Sequence, residues 1–220
     1  KNYNRNLKLL TKNHVYSKEM EHDACGVGAI VSTEGKKSRI IVEYGIEALK
    51  AVWHRGAVDA DGKTGDGAGI HLEIPKDFFI EKIEVTGHDY DHSEICVGMI
   101  FLPRNDYSAQ ESCKTIVESE LTKNNFSIYG WRQVPVNPKI LGQKALQTMP
   151  EIMQVLFKSN DKNLLDKDLE RKIYETRKKI ENKAFQLSLN NFYICSISSK
   201  SIIYKGLYLA EAISDFYLDL

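Results

Sequence analysis

Two short pieces of this chain carry residue types able to do covalent or anion chemistry. The first is Ala24-Cys25-Gly26-Val27-Gly28, followed by the apolar run Ala29, Ile30 and Val31. That order places a thiol at the start of a predicted buried strand with no bulky side chain beside it, an odd location for a structural cysteine and an open one for a nucleophile. The second piece, about thirty residues on, is His54-Arg55-Gly56-Ala57. A guanidinium there can brace the start of the cysteine strand or meet an anion.

Helical spacing delivers the second piece. Val42, Ile46, Leu49 and Trp53 recur at i, i+4, i+7 and i+11, and Gly56 is the residue type that closes a helix in the left-handed conformation. His54 and Arg55 then fall on the last turn. Residues 57–64 match a loose phosphate-loop pattern with alanine for the first glycine, but the context weighs against it. Asp59 and Asp61 would aim charge at phosphates, a helix precedes the loop, and glycines follow it. The run 64–69, with glycines at alternate positions, suits a tight backbone passage into a strand over 70–74. It reads equally as a surface turn or as a loop lining a site. His71 falls on the polar face of that strand. His88, Asp89, Asp91 and His92 offer metal-ligand types, yet they cluster around Gly87 in what reads as a solvated turn.

Further along, 95–102 is a continuous apolar strand containing Cys96. Asn105 or Ser108 can cap a helix whose face is Ala109, Cys113, Ile116, Val117 and Leu121. A strand over 126–134 leads into an extended connection through Pro138, and another strand spans 151–158. A long helix over 165–186 carries the stripe Leu165, Leu169, Ile173, Ile180 and Ala184 beneath a solvated charged face. Strands at 192–197 and 201–204 flank Ser198-Ser199-Lys200 as a hairpin, and a short helix follows over 209–216. Strands and helices alternate without a regular βαβ rhythm, which predicts an α+β sandwich.

The 220 residues, 42% hydrophobic and 27% charged, suit one soluble domain with one substantial core. Thirty basic residues balance thirty acidic ones, so charge favours neither nucleic acid nor a membrane surface. No apolar run approaches a membrane span, and the first residues hold no hydrophobic signal core. Cys25, Cys96, Cys113 and Cys195 show no C-x-x-C spacing. Free thiols in a reducing cytoplasm are the expectation.

The motifs together resemble the amino-terminal class II glutamine amidotransferase domain of glutamate synthase large subunits, of the N-terminal nucleophile hydrolase type. The resemblance rests on Cys25-Gly-Val-Gly, Ala48-Leu49, His54-Arg55-Gly56-Ala57, Thr64-Gly65-Asp66-Gly67-Ala68-Gly69-Ile70, Ile74-Pro75 and Phe78-Phe79. It continues through Gly130-Trp131-Arg132-Gln133-Val134-Pro135, then Leu141-Gly142 with Ala145, Pro150 and Gln154. It closes with 192–199 and Tyr204-Lys205-Gly206. Order and spacing hold from about residue 20 onward.

The resemblance implies a four-layer αββα sandwich, incomplete at its carboxyl end, over residues 25–220, preceded by a leader or propeptide over 1–24 that is cut between Ala24 and Cys25. It implies Cys25 as both nucleophile and base, with Arg55 and Gly56 as site-supporting residues, although Arg55 can equally serve only to tie two elements together. A free α-amine has a pKa of about 8 and a thiol about 8.5, so a terminal cysteine carries its own base at neutral pH. The substrate implied is L-glutamine, cleaved through a γ-glutamyl thioester. Ammonia would pass to downstream synthase domains bearing FMN and an iron–sulfur cluster, served by a small reductase subunit; this chain itself holds no cofactor or metal. The family's oxyanion Asn-Gly pair is absent from the sequence. The alternative is therefore a truncated or unprocessed, catalytically inactive domain with a structural or partner-binding role.

Overall fold

The computed structural model describes residues 2–13, 26–52, 57–84 and 95–220. Helix α1 (Asn2–Lys12) opens the chain. Residues 2–12 hold no glycine or proline to interrupt a helix, and Thr11 Oγ1 donates to the Leu7 carbonyl at 2.8 Å. The helix lies outside the core, with Leu9 and Leu10 exposed.

Residues 26–32 form no strand, contrary to the sequence reading, and Val27 and Val31 are 92% and 78% exposed. An apolar run becomes a strand only where a neighbour supplies a ladder and a buried face. Among the described residues none pairs with it. Helix α2 (Arg39–Ala51) starts before Val42 because Ser38 caps it, its hydroxyl accepting from the Ile40 N–H. Trp53 lies outside the described residues.

Among the described residues all strand pairs are antiparallel. Strand β1 (Ala68–Glu73) pairs with β6 (Ser201–Gly206), while β3 (Phe126–Gln133), β4 (Glu151–Ser159), β2 (Cys96–Leu102) and β5 (Tyr193–Ser198) form a four-stranded sheet in the order β3-β4-β2-β5. The period-two alternation of a strand divides that sheet's side chains between two cores. Cys96, Ile100, Val155, Phe157 and Ile194 pack with Cys113, Val117 and Leu121 of α4 (Tyr107–Lys123) and with Ile173 and Ile180 of α6 (Asp166–Gln186). Val97, Met99, Ile152, Leu156 and Cys195 instead face Ile202 and Tyr204 of β6, joined by Phe79 and Ile83 of α3 (Lys76–Glu84). Helix α2 packs against β1.

The predicted hairpin at 192–204 is a crossover, with β5 in one sheet and β6 in the other. Side chains explain the step. Ser198 Oγ accepts from the Lys200 and Ser201 N–H groups at 2.9 and 3.2 Å, and the Glu170 carboxylate accepts from the Ser199 N–H at 2.6 Å. The turn's donors are thus satisfied without a β5–β6 ladder.

Helix α4 is capped by Asp106, accepting from the Ala109 N–H at 2.9 Å, in place of Asn105 or Ser108. In α6, Leu165 sits outside the stripe at 74% exposure, and buried Thr176 completes the face by donating its hydroxyl to the Lys172 carbonyl. The connection after Pro135 contains a 3-10 turn (Pro138–Ile140) and a short α5 (Gln143–Thr148), neither foreseen. The 209–216 segment is a 3-10 turn (Ala210–Ala212) running into α7 (Ile213–Phe216). No helix among the described residues is long and apolar enough to cross a membrane.

Candidate active site

Cys25, Arg55 and Gly56 lie outside the described residues, as do His54 and the predicted turn holding His88, Asp89, Asp91 and His92. What is described is the framework on either side. Gly26 continues directly from Cys25, α2 ends at Ala51, and the chain resumes at Ala57 immediately after Gly56.

From Ala57 the chain folds back on itself. Val58 bridges Gly65, the Asp59 N–H donates to the Thr64 carbonyl at 2.9 Å, and the Asp66 N–H donates to the Ala57 carbonyl at 3.2 Å. Inside this loop the Asp61 carboxylate gathers donors. Its Oδ1 accepts from the Lys63 and Thr64 N–H groups at 3.0 and 2.7 Å, and its Oδ2 accepts from the Thr64 hydroxyl at 2.6 Å and the Lys144 N–H at 3.4 Å. The Thr64 hydroxyl in turn accepts from the Ala145 N–H at 3.3 Å. Lys144 Nζ closes the outer edge on Asp59 Oδ2 at 2.6 Å.

This arrangement decides the phosphate question. The backbone donors that a phosphate would need are held by the protein's own carboxylate, and the threonine hydroxyl is bound as well. Residues 57–64 are therefore not a nucleotide loop. The Thr64 hydroxyl, followed by its N–H and that of Lys63, holds the Asp61 carboxyl well below the usual carboxylate range. The Lys144 ammonium lowers the Asp59 carboxyl pKa and is itself raised by that partner.

The loop also explains α5. Its N-cap is Gly142, which has no side chain to cap with, so Thr64 and Asp61 receive the Ala145 and Lys144 N–H groups from across the chain. Glycine is required there by space, since a Cβ at 142 would lie 2.3 Å from both Asp61 Oδ2 and Thr64 Oγ1. The Asp-x-x-Thr spacing is a local signal for such a turn. Its Lys144 and Ala145 partners are about eighty residues away and left no trace in the sequence pattern.

The glycine run is a close passage, as its composition suggested. A Cβ on Gly65 would meet the Tyr208 carbonyl oxygen at 2.6 Å, and one on Gly69 would meet Lys205 Cβ at 2.8 Å. His71 is exposed on β1. Asp66, Gly67 and Ala68 line one side of a cavity of about 610 Å³ whose other wall includes Phe101, Tyr193 and Lys205. Lys205 Nζ donates to the Tyr193 hydroxyl at 2.6 Å, fixing the rim. A second cavity of about 670 Å³ shares Phe101, Tyr193 and Lys205.

Cys96, Cys113 and Cys195 are buried, and burial pushes the Cys113 and Cys195 thiols up to about 11. Both are protonated at neutral pH and so unsuited to nucleophilic attack. Among the described residues no three histidine, cysteine or acidic side chains come together as a metal site.

Comparison with known proteins converges on one family. A family model described as glutamine amidotransferases class-II matches residues 25–220. The chain is 51% identical over 218 residues to the glutamate synthase (NADPH) large chain of Azospirillum brasilense, covering 99% of this chain and 14% of that protein. It is 41% identical over 202 residues to ferredoxin-dependent glutamate synthase 1, chloroplastic/mitochondrial, of Arabidopsis thaliana, covering 91% of this chain and 12% of that one. Ferredoxin-dependent glutamate synthase 2 of Synechocystis is 36% identical over 201 residues, 91% of this chain and 12% of its own length. The chain thus spans 12–14% of the length of these relatives.

Proposed function

Because this chain belongs to the class-II glutamine amidotransferases, we propose that it is the glutaminase region of a glutamate synthase, with Cys25 as its nucleophile. One observation carries the reading: the family match begins at residue 25 itself and runs to residue 220. The 51% identity to a glutamate synthase large chain supports that narrower reading.

In this reading residues 1–24 are a leader, and cleavage between Ala24 and Cys25 frees the α-amine. That amine takes the thiol proton as sulfur attacks the side-chain carboxamide carbon of L-glutamine. The C–N bond then breaks, the proton returns to the leaving nitrogen, and ammonia departs from a γ-glutamyl thioester. Water, deprotonated by the same amine, cleaves the thioester to glutamate and restores the thiol. While nitrogen 25 remains in a peptide bond it has no basic lone pair, so the uncut chain is nearly inert. Arg55 and Gly56 support the nucleophile.

The fold belongs to the same proposal: an αββα sandwich with α4 and α6 outside the four-stranded sheet and α2 outside the β1–β6 pair. The contacts of those helices support it. The residues present do not fit an iron–sulfur cluster, because Cys96, Cys113 and Cys195 are buried and gather into no metal site among the described residues. FMN and the cluster are assigned to the rest of a cytoplasmic parent enzyme, where downstream synthase domains, supplied by a reductase subunit, consume the ammonia.

Intact-mass analysis of the full-length protein, before and after treatment with 6-diazo-5-oxo-L-norleucine, tests the reading. A mature terminus at Cys25 and one adduct on that residue are expected, with the adduct lost in Cys25→Ala. A retained leader with no adduct would leave only the non-catalytic module.

A further inference from the structure

We draw no further inference here: the strongest candidate, the cleft of about 670 Å³ where β2 ends, β4 and β5 begin and the chain leaves β6, lined by Phe101, Arg104, Tyr193, Lys205 and Tyr208, carries nothing, because nothing in the structure shows what covers it.

Discussion

Arg132 and Asp219 form a half-buried ion pair, Nη2 to Oδ2 at 2.7 Å, with side chains 16% and 7% exposed. The contact is one of charge rather than of aligned hydrogen bonds, since neither Asp219 oxygen has an N–H in line with it. Arg132 is oriented from its other sides by Gln154 Oε1, which accepts from Nη1 at 2.7 Å, and by the Phe78 ring 5.1 Å away. Removing only the carboxylate leaves a half-buried guanidinium without its counter-charge, which costs at most the roughly 3 to 5 kcal/mol of a fully buried pair. Asp219→Ala should lower the urea midpoint accordingly, whereas Arg132→Met combined with Asp219→Ala should recover most of the loss. A single substitution as stable as the parent would show that the pair is solvated.

That pair shows why part of the molecule was legible in the sequence and part was not. The strands at Cys96–Leu102 and Glu151–Ser159 and the long α6 were readable because each obeys one local period, two or near 3.6, set by a single buried face. Arg132, Asp219, Lys144 and Glu170 were not, because each is defined by a partner far along the chain. The β5–β6 step misled for a related reason. Two apolar strands joined by three polar residues look like a hairpin unless a distant carboxylate is known to take the turn's N–H. For the candidate site, residue types propose Cys25 and Arg55, which lie outside the described residues, whereas the contacts that Asp61 and Thr64 make with the first turn of α5 carry no local signal.

Glu170 holds the crossover between the sheets. Its carboxylate accepts from the Ser199 N–H and the Ser199 hydroxyl, each at 2.6 Å, and from the Ser198 hydroxyl at 3.0 Å. Hydrogen bonds to a charged acceptor contribute about 1.5 to 3 kcal/mol, so Glu170→Ala should destabilise the chain by about 2 kcal/mol. Ser199→Ala should cost less, because the backbone N–H contact survives. Equal midpoints for the parent and the Glu170 variant in a denaturant titration would remove the carboxylate from this role.

Helices α4 and α6 are joined by Glu120, whose carboxylate accepts from Lys183 and lies near Lys123. The Lys183 contact lowers the Glu120 pKa against the opposing effect of burial. A carboxyl whose folded pKa is depressed binds its proton more readily when unfolded. Its contribution is therefore complete above the unfolded value of about 4.3 and is lost as pH falls through the folded value. Stability should decline from about pH 4.3 downward, and Glu120→Gln should flatten that decline while lowering stability at pH 7. A variant with the parent's acid profile would assign the slope to other carboxyls.

Cys195 supplies the control for the chemistry proposed at Cys25. Its sulfur is buried against the core and donates to the Ile203 carbonyl at 3.5 Å, and burial pushes its pKa up to about 11. At pH 8 only about one thiol in a thousand is then ionised, and the nucleophile in thiol alkylation is the thiolate. Cys195 and Cys113, raised to about 11 for the same reason, should therefore stay unmodified in native protein under conditions that alkylate an N-terminal cysteine. Peptide mapping after brief iodoacetamide treatment checks this. Cys195→Ser should leave the adduct pattern unchanged, while unfolding in urea should expose both thiols to reaction. Fast native modification at Cys195 would mean that its sulfur meets solvent, and an adduct count could no longer be taken as a measure of Cys25.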